Sequence, residues 1–302
     1  MHDFLIIGSG VSGMAAAIYA GRFDLKTLIV GELPGGTITK THLVENYPGF
    51  KSLSGFELAM NLQAHVENIG VPIEQDTITR LTRNDIGIFH AETANGKTYD
   101  AKTILLATGT HHRKLGIPGE ERLTNKGVSY CATCDGPLYR NKVMVVVGGS
   151  DSAIKESLLL SKFGTKVYVV YRREKVRAEP INQKRLNETT NIEIITKANL
   201  TEILGEERVE KIKLDTGKEI TCDAVFIEIG RLPVTDLAKS LNVTLNEKDE
   251  VIINKASETN VPGFFSAGDC TNTDWKQAII GVGEGCMAAY SAYQYCLKQS
   301  IK

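Results

Sequence analysis

At 302 residues the chain exceeds one ordinary domain and fits two. With 42% hydrophobic and 24% charged residues it can build real cores, while a net charge of −1 excludes any general attraction to nucleic acid or anionic membrane. No apolar run approaches the roughly 20 residues of a membrane helix, no secretory leader is visible, and six cysteines are too few for a disulfide scaffold, so a cytoplasmic setting is expected.

Phe4-Leu-Ile-Ile7 predicts a buried strand, and Met14-Ala-Ala-Ala-Ile-Tyr-Ala20 predicts a helix. Between them lies Gly8-Ser-Gly-Val-Ser-Gly13, a G-x-G-x-x-G turn in the strand–turn–helix context that binds dinucleotides. Gly8 permits the tight turn, Gly10 lets a pyrophosphate reach the backbone, and Gly13 lets helix and strand pack closely. The free N–H groups of the helix then face the phosphates. A second strand is predicted at 27–30, and Glu32 stands about 20 residues past the motif, where a carboxylate binds a ribose hydroxyl.

Pro34-Gly-Gly-Thr37 and Glu45-Asn-Tyr-Pro-Gly49 are turn-rich and nearly free of apolar residues, as expected of loops lining a ligand. Residues 53–70 predict one amphipathic helix, in which His65 has no partner at metal spacing. Strands are expected at 71–74, 86–94, 97–99 and 102–107, the last closing on a glycine turn at Gly109. The polar segment 110–119 reads as a crossing between domains, where the adjacent His111 and His112 diverge on a strand and stay solvated.

Ser129-Tyr-Cys-Ala-Thr-Cys-Asp-Gly136 places two thiols at a spacing that closes a small disulfide or grips a metal. Zinc needs two more ligands, and Cys222, Cys270, Cys286 and Cys296 are isolated, with no matching pair spacing. Pro137 opposes a long helix here and favours a turn or a single helical turn. Asp135 is a poor stabiliser of a neighbouring thiolate, since like charge raises a thiol pKa; it is better suited to passing a proton.

A strand at 142–147 leads to Gly148-Gly-Ser-Asp-Ser-Ala153 and a helix to about 162. This second turn carries Ser150 at its middle glycine position, where a Cβ crowds a pyrophosphate. The next strand, 166–171, ends in Arg172-Arg-Glu-Lys-Val-Arg177, so Arg172 occupies the place of the NAD-type carboxylate and suits a 2′-phosphate instead. Two nucleotide folds with different second-strand chemistry point to FAD in the first and NADPH in the second. Further on, a strand pair is expected around 193–195 and 209–214, a buried strand at 223–230, and a return crossing at 231–235. A run over 261–270 ends in Gly268-Asp269 before a helix at 277–298; Asp269 either bonds a flavin ribityl chain or caps the helix.

Together these motifs resemble the low-molecular-weight thioredoxin reductases over nearly the whole chain. The marks are Cys131-Ala-Thr-Cys-Asp135 between two nucleotide turns, the arginines at 172, 173 and 177, Ala267-Gly-Asp269 followed by Lys276-Gln-Ala278, and the loops Pro34-Gly-Gly36 and Val44-Glu-Asn-Tyr-Pro-Gly49. The resemblance implies an α/β fold of two Rossmann-like, three-layer ββα nucleotide-binding domains, the second inserted into the first. The FAD domain would comprise 1–113 and 236–302, and the NADPH domain 114–235, with the cysteines. FAD would be held by Gly8, Ser9, Gly10, Gly13 and Glu32, and by Gly35, Gly36 and Asn46 in the loops. Ala107, Thr108 and Gly109, with Gly268, Asp269, Lys276, Gln277 and Ala278, would complete its site. NADPH would fall to Gly148, Gly149, Ser150, Asp151 and Ser152, with Arg172, Arg173 and Arg177.

By the same resemblance NADPH reduces FAD, FAD reduces a Cys131–Cys134 disulfide, and the dithiol reduces thioredoxin or a thioredoxin-like protein. Cys134 would face the flavin, Cys131 would attack the partner, and Asp135 would be the acid/base. A homodimer and a rotation of one domain against the other are also implied. The chain departs from the family pattern at Thr37, Ser150, Tyr171, Lys276 and Arg231-Leu-Pro-Val234. The alternatives are the same fold fed by ferredoxin or reduced flavin, a glutaredoxin-like or peroxidase-linked partner, and a flavin redox sensor that does not turn over.

Overall fold

The computed structural model describes residues 1–300. They form two compact units, one of residues 1–111 with those from 232 onward, the other of residues 112–231. The chain passes between them at the strands Thr110–His112 and Arg231–Pro233, which pair as a two-stranded ribbon.

Alternation along the first strand sets the layers of the first unit. In His2–Ile7, Phe4 and Ile6 point to one face and Leu5 and Ile7 to the other, all buried. Phe4 and Ile6 meet Met14, Ala17 and Ala20 of the helix Val11–Arg22 and Ala288, Ala289 and Ala292 of the helix Ala278–Ser300. Leu5 and Ile7 pack instead with Leu28, Val30, Leu81, Phe89 and Phe264. A sheet buried on both faces gives the near-continuous apolar runs seen in its strands.

The sheet runs Ile73–Glu74, Thr27–Val30, His2–Ile7, Thr98–Leu106, Phe89–Thr93, Ile78–Arg83. Thr98–Leu106 is long because it serves three neighbours. His2–Ile7 lies parallel along one side; on the other, Phe89–Thr93 pairs antiparallel with its first half and Phe264–Ser266 parallel with its second. The separate strands expected at 97–99 and 102–107 are therefore one. The strand Ile78–Arg83 carries no clear sequence signal: its register shifts between Ile78 and Arg80, which breaks the period-two pattern. The expected helix at 53–70 is observed as Gly55–Ile69, opened by a capping box of Ser54 and Glu57.

The second unit repeats the plan. A five-stranded parallel sheet runs Ile192–Thr196, Lys166–Tyr171, Val143–Val147, Ala224–Ile227, Val128–Ser129. Met144, Val146 and Phe226 face Ala153, Leu159 and Leu160 of the helix Asp151–Leu160. Val145, Val147 and Ile227 face an antiparallel meander of Leu200–Leu204, Lys211–Leu214 and Glu219–Thr221. The expected pairing of 193–195 with 209–214 is corrected: Ile192–Thr196 extends the parallel sheet, whereas Lys211–Leu214 pairs within the meander. Apolar content makes a strand but does not choose its neighbour. Each unit is thus a three-layer α/β fold.

Phe4 is fully buried between sheet and helices. Phe4→Ala is expected to cost about 3–5 kcal/mol, read as a lower urea midpoint with unchanged slope.

Candidate active site: two glycine turns and a disulfide

In the first unit the strand His2–Ile7 ends at Gly8, whose φ of 111° admits only glycine readily. A Cβ on Gly13 would stand 2.0 Å from the Gly8 carbonyl oxygen, so the helix can approach the strand only without one. Gly10 is different: its φ of −74° suits any residue, and a Cβ there would meet nothing within 4 Å. No protein atom asks for that glycine, whereas a pyrophosphate over the helix N-terminus would. Beside it the Ser9 hydroxyl is buried with no hydrogen-bond partner among the described residues, a polar atom left for a ligand to satisfy. These features fit a dinucleotide.

Several of the other expected residues, Gly35, Gly36, Ala107 and Gly268, gather around that turn. Gly35 donates to the Ser9 carbonyl at 2.8 Å, and Gly36 lies against Gly10. Ala107 donates to the Ile7 carbonyl at 2.8 Å, and its own carbonyl backs onto Gly8. Thr108 donates its hydroxyl to the Val234 carbonyl at 2.6 Å, next to Gly109. Gly268 packs on Ser12 of the first helix, placing the turn with Asp269 at the same crevice. Asn46 donates to the Gln277 side chain at 3.0 Å, tying the loop to the start of the helix that opens at Ala278. Glu32 is exposed and accepts from the Thr77 hydroxyl at 2.8 Å. Lys276 is engaged elsewhere, its ammonium 3.2 Å from Glu250.

The second unit builds the same turn less openly. Gly148 has φ 149°, and a Cβ on it would stand 2.2 Å from the Glu228 carbonyl oxygen. Ser150 occupies the backbone conformation of Gly10, with φ −79° against −74°, so its Cβ projects where Gly10 leaves space. Its hydroxyl turns back to accept from Ala153 N–H as a helix cap. Gly149 lies against the ring of Tyr171, whose hydroxyl is buried without a partner. Arg177 N–H donates to the Gly149 carbonyl at 2.7 Å, which holds the arginine segment beside the turn. Arg172, Arg173 and Arg177 are all exposed. Asp151 is used to knit the fold, accepting at 2.8 Å from Glu179 N–H and from the Asn182 amide, while Ser152 is exposed beside it. The arginines with the glycine turn fit a phosphorylated dinucleotide, and Ser150 narrows the approach.

Cys131 and Cys134 form a disulfide with Cα atoms 5.3 Å apart. Cys131 caps the single helical turn Ala132–Asp135 and Cys134 lies within it; a 3₁₀ turn, Gly136–Tyr139, follows with Pro137 near its start. Cys134 N–H donates to the Cys131 sulfur at 3.2 Å, so one sulfur already faces a donor able to stabilise a thiolate. Cys131 is buried and Cys134 exposed. Ser129 donates its hydroxyl to Asp135 at 2.6 Å and accepts from Cys131 N–H at 3.0 Å, which fixes the carboxylate beside the turn. The other four thiols are held back: burial pushes Cys222 up to about 12 and raises Cys270, Cys286 and Cys296.

Several carboxylates that organise these sites fall outside the sequence motifs. Glu284, in the second turn of the last helix, accepts from Gly268 N–H at 2.7 Å and from the hydroxyls of Thr271 and Thr273. The buried Glu120 accepts from Leu115 and Gly116 N–H and from the Tyr130 hydroxyl, just before Cys131. Glu228 is buried at the end of its strand, and Glu156 is half-buried on the helix Asp151–Leu160. Of these only Glu228 could have been found, as a lone acid inside the apolar run Ala224-Val-Phe-Ile-Glu-Ile229.

Two dinucleotide turns and a two-residue disulfide loop define a flavin-type disulfide reductase. The pyridine nucleotide-disulphide oxidoreductase family matches residues 2–290, and the chain belongs to it. It is 38% identical to a thioredoxin reductase of Listeria innocua, over 100% of this chain and 97% of that one. It is also 38% identical to a component of the alkyl hydroperoxide reductase of Staphylococcus aureus, over 98% of this chain but only 59% of that one. The fold superposes on the crystal structure of Lactococcus lactis thioredoxin reductase with a TM-score of 0.95 at 36% identity, covering 99% of this chain and 100% of that one.

Gly10→Val is expected to leave the fold intact, as nothing in the protein crowds it, and to weaken nucleotide retention roughly 10–100-fold. Circular dichroism and the nucleotide released on heating check this; loss of folded protein would contradict it.

Proposed function

We propose that this protein is an NADPH-dependent thioredoxin reductase. The observation that carries the reading is the Cys131–Cys134 disulfide in the same chain as two dinucleotide turns of different chemistry. FAD belongs to the first turn and NADPH to the second, on the domains 1–113 with 236–302 and 114–235; a cytoplasmic homodimer is part of the proposal.

When bound, FAD supplies the two-electron step between nicotinamide and disulfide. The protein's own residues do the rest. The Gly8–Gly13 turn and the helix N-terminus behind it hold the pyrophosphate, and Ser9 offers it a hydroxyl. Arg172, Arg173 and Arg177 take the 2′-phosphate. Once the disulfide is reduced, the Cys131 thiolate, stabilised by Cys134 N–H, attacks a thioredoxin disulfide. The mixed disulfide is resolved by Cys134, which returns the Cys131–Cys134 bond and leaves two electrons and two protons on the partner. Asp135, held by the Ser129 hydroxyl, relays those protons. Because Cys131 is buried at rest, the turn must present its sulfur as the partner docks.

Steady-state reduction of a thioredoxin tests the reading: turnover should require NADPH, with NADH much poorer, and Cys131→Ser should abolish it. Turnover by Cys131→Ser at the normal rate would overturn the exchange role. One observation favours a second reading. The Cβ of Ser150 projects where Gly10 leaves space, so a same-fold reductase fed by ferredoxin or reduced flavin is the runner-up. Ser150→Gly should lower the KM for NADPH roughly 10-fold at unchanged kcat, about 1.4 kcal/mol of relieved crowding. Flavin that NADPH fails to reduce in either form would favour the other donor.

A further inference from the structure

Glu32 is an exposed side chain, yet it does not hang free beside the first glycine turn. The strand Thr27–Val30 runs into Gly31, which packs on that turn: a Cβ on Gly31 would stand 2.5 Å from the Ser9 nitrogen and from its hydroxyl. Glu32 is therefore the next residue after the one that touches the Ser9 hydroxyl. What fixes it comes from the segment 75–77, which follows the edge strand Ile73–Glu74. Gly31 N–H donates to the Glu74 carbonyl at 3.0 Å, and the Gln75 side-chain amide donates to the Glu32 carbonyl at 2.9 Å. The Thr77 hydroxyl donates to Glu32 Oε1 at 2.8 Å. Thr77 is itself anchored. Its N–H donates to the carboxylate of the buried Asp76 at 2.7 Å, and its carbonyl accepts from Ala94 N–H at 2.8 Å. A hydrogen bond to an exposed side chain adds little to stability, but it can aim a group that a ligand must meet.

We propose that Thr77 is a positioning residue for nucleotide recognition: it holds one oxygen of Glu32 so that the other is presented to the adenosine ribose, and so sets the preference of the first site for a ribose with a free 2′-hydroxyl. A carboxylate accepts and does not donate. With Oε1 taken by Thr77, Oε2 is left for the ribose hydroxyl that such a carboxylate binds. Without Thr77 the glutamate side chain would spread over its rotamers, and that freedom would be lost on binding. A 2′-phosphate would meet the same fixed negative charge and be rejected. The second unit has a matching brace. There Lys197, which follows the edge strand Ile192–Thr196, donates its N–H to the Arg173 carbonyl at 3.1 Å. In both units the segment after the edge strand thus holds the residues at the end of its neighbour, carboxylate in the first and arginine in the second.

The inference rests on FAD in the first site but needs neither NADPH nor thioredoxin to be correct. The full-length chain is stripped of flavin, then titrated with FAD and with an FAD whose adenosine lacks the 2′-hydroxyl, followed through flavin fluorescence. Thr77→Val should weaken FAD roughly 10-fold, the scale of one hydrogen bond to a charged group, and leave the deoxy analogue nearly unchanged. The wild-type preference for FAD over the analogue should shrink accordingly. Thr77→Ser keeps the hydroxyl and should restore both affinities. In a Glu32→Ala background, Thr77→Val should change FAD affinity by less than about 2-fold, because the two residues act as one. A merely structural role for Thr77 would weaken both ligands equally, and that result would overturn the proposal. So would unchanged FAD affinity in Thr77→Val, or a full 10-fold loss that persists without Glu32. Either of these, in a wild type that binds FAD, removes the role of Thr77 and leaves FAD in the first site standing. A wild-type chain that binds no FAD would overturn both together.

Discussion

Each unit depends on one close approach, where the first turn of a helix meets the end of the strand before it. In the first unit Gly13 meets the Gly8 carbonyl; in the second, Gly148 fits against the Glu228 carbonyl and Ala153. This contact aims the free N–H groups of the helix N-terminus across the end of a parallel sheet. In the second unit the strands are apolar on both faces because one face takes a helix and the other a meander. The residues gathered around the first turn, Gly35 and Gly36, Ala107, and Gly268, come from three distant parts of the sequence.

The difference between the two turns is narrow. Gly10 and Ser150 share a backbone conformation that any residue tolerates. Glycine at position 10 is thus explained by what lies outside the protein rather than within it, and the serine at 150 states a different compromise: it gains a helix cap and loses room for a ligand. A similar exchange is visible in Asp151, whose carboxylate holds Glu179 and Asn182.

Much of this was legible in the sequence because the decisive signals are local. Gly8 to Gly13, Gly148 to Ala153 and Cys131 to Asp135 each act within one turn of chain, so spacing alone carries the geometry. Pro137 correctly limited the cysteine segment to a single helical turn. What stayed hidden is long-range. The Ile78–Arg83 strand is masked by its bulge, and Ile192–Thr196 and Lys211–Leu214 look alike but join different sheets. Glu120 and Glu284 look like ordinary helix or turn acids until the fold closes them on backbone N–H groups. Carboxylates of this kind place the two sites: Glu284 sets the Gly268 turn, and Glu120 holds the chain before the redox turn.

The chain is expected to store electrons in two places, a flavin and the Cys131–Cys134 disulfide, and to draw them from NADPH. Anaerobic titration of the purified yellow protein with NADPH, followed through the flavin absorbance and by thiol counting, tests it most directly. The account predicts uptake of four electrons, two on the flavin and two on the cysteines, with two new thiols per chain. Uptake of only two electrons with the disulfide intact, or a flavin that NADPH does not bleach, would contradict it.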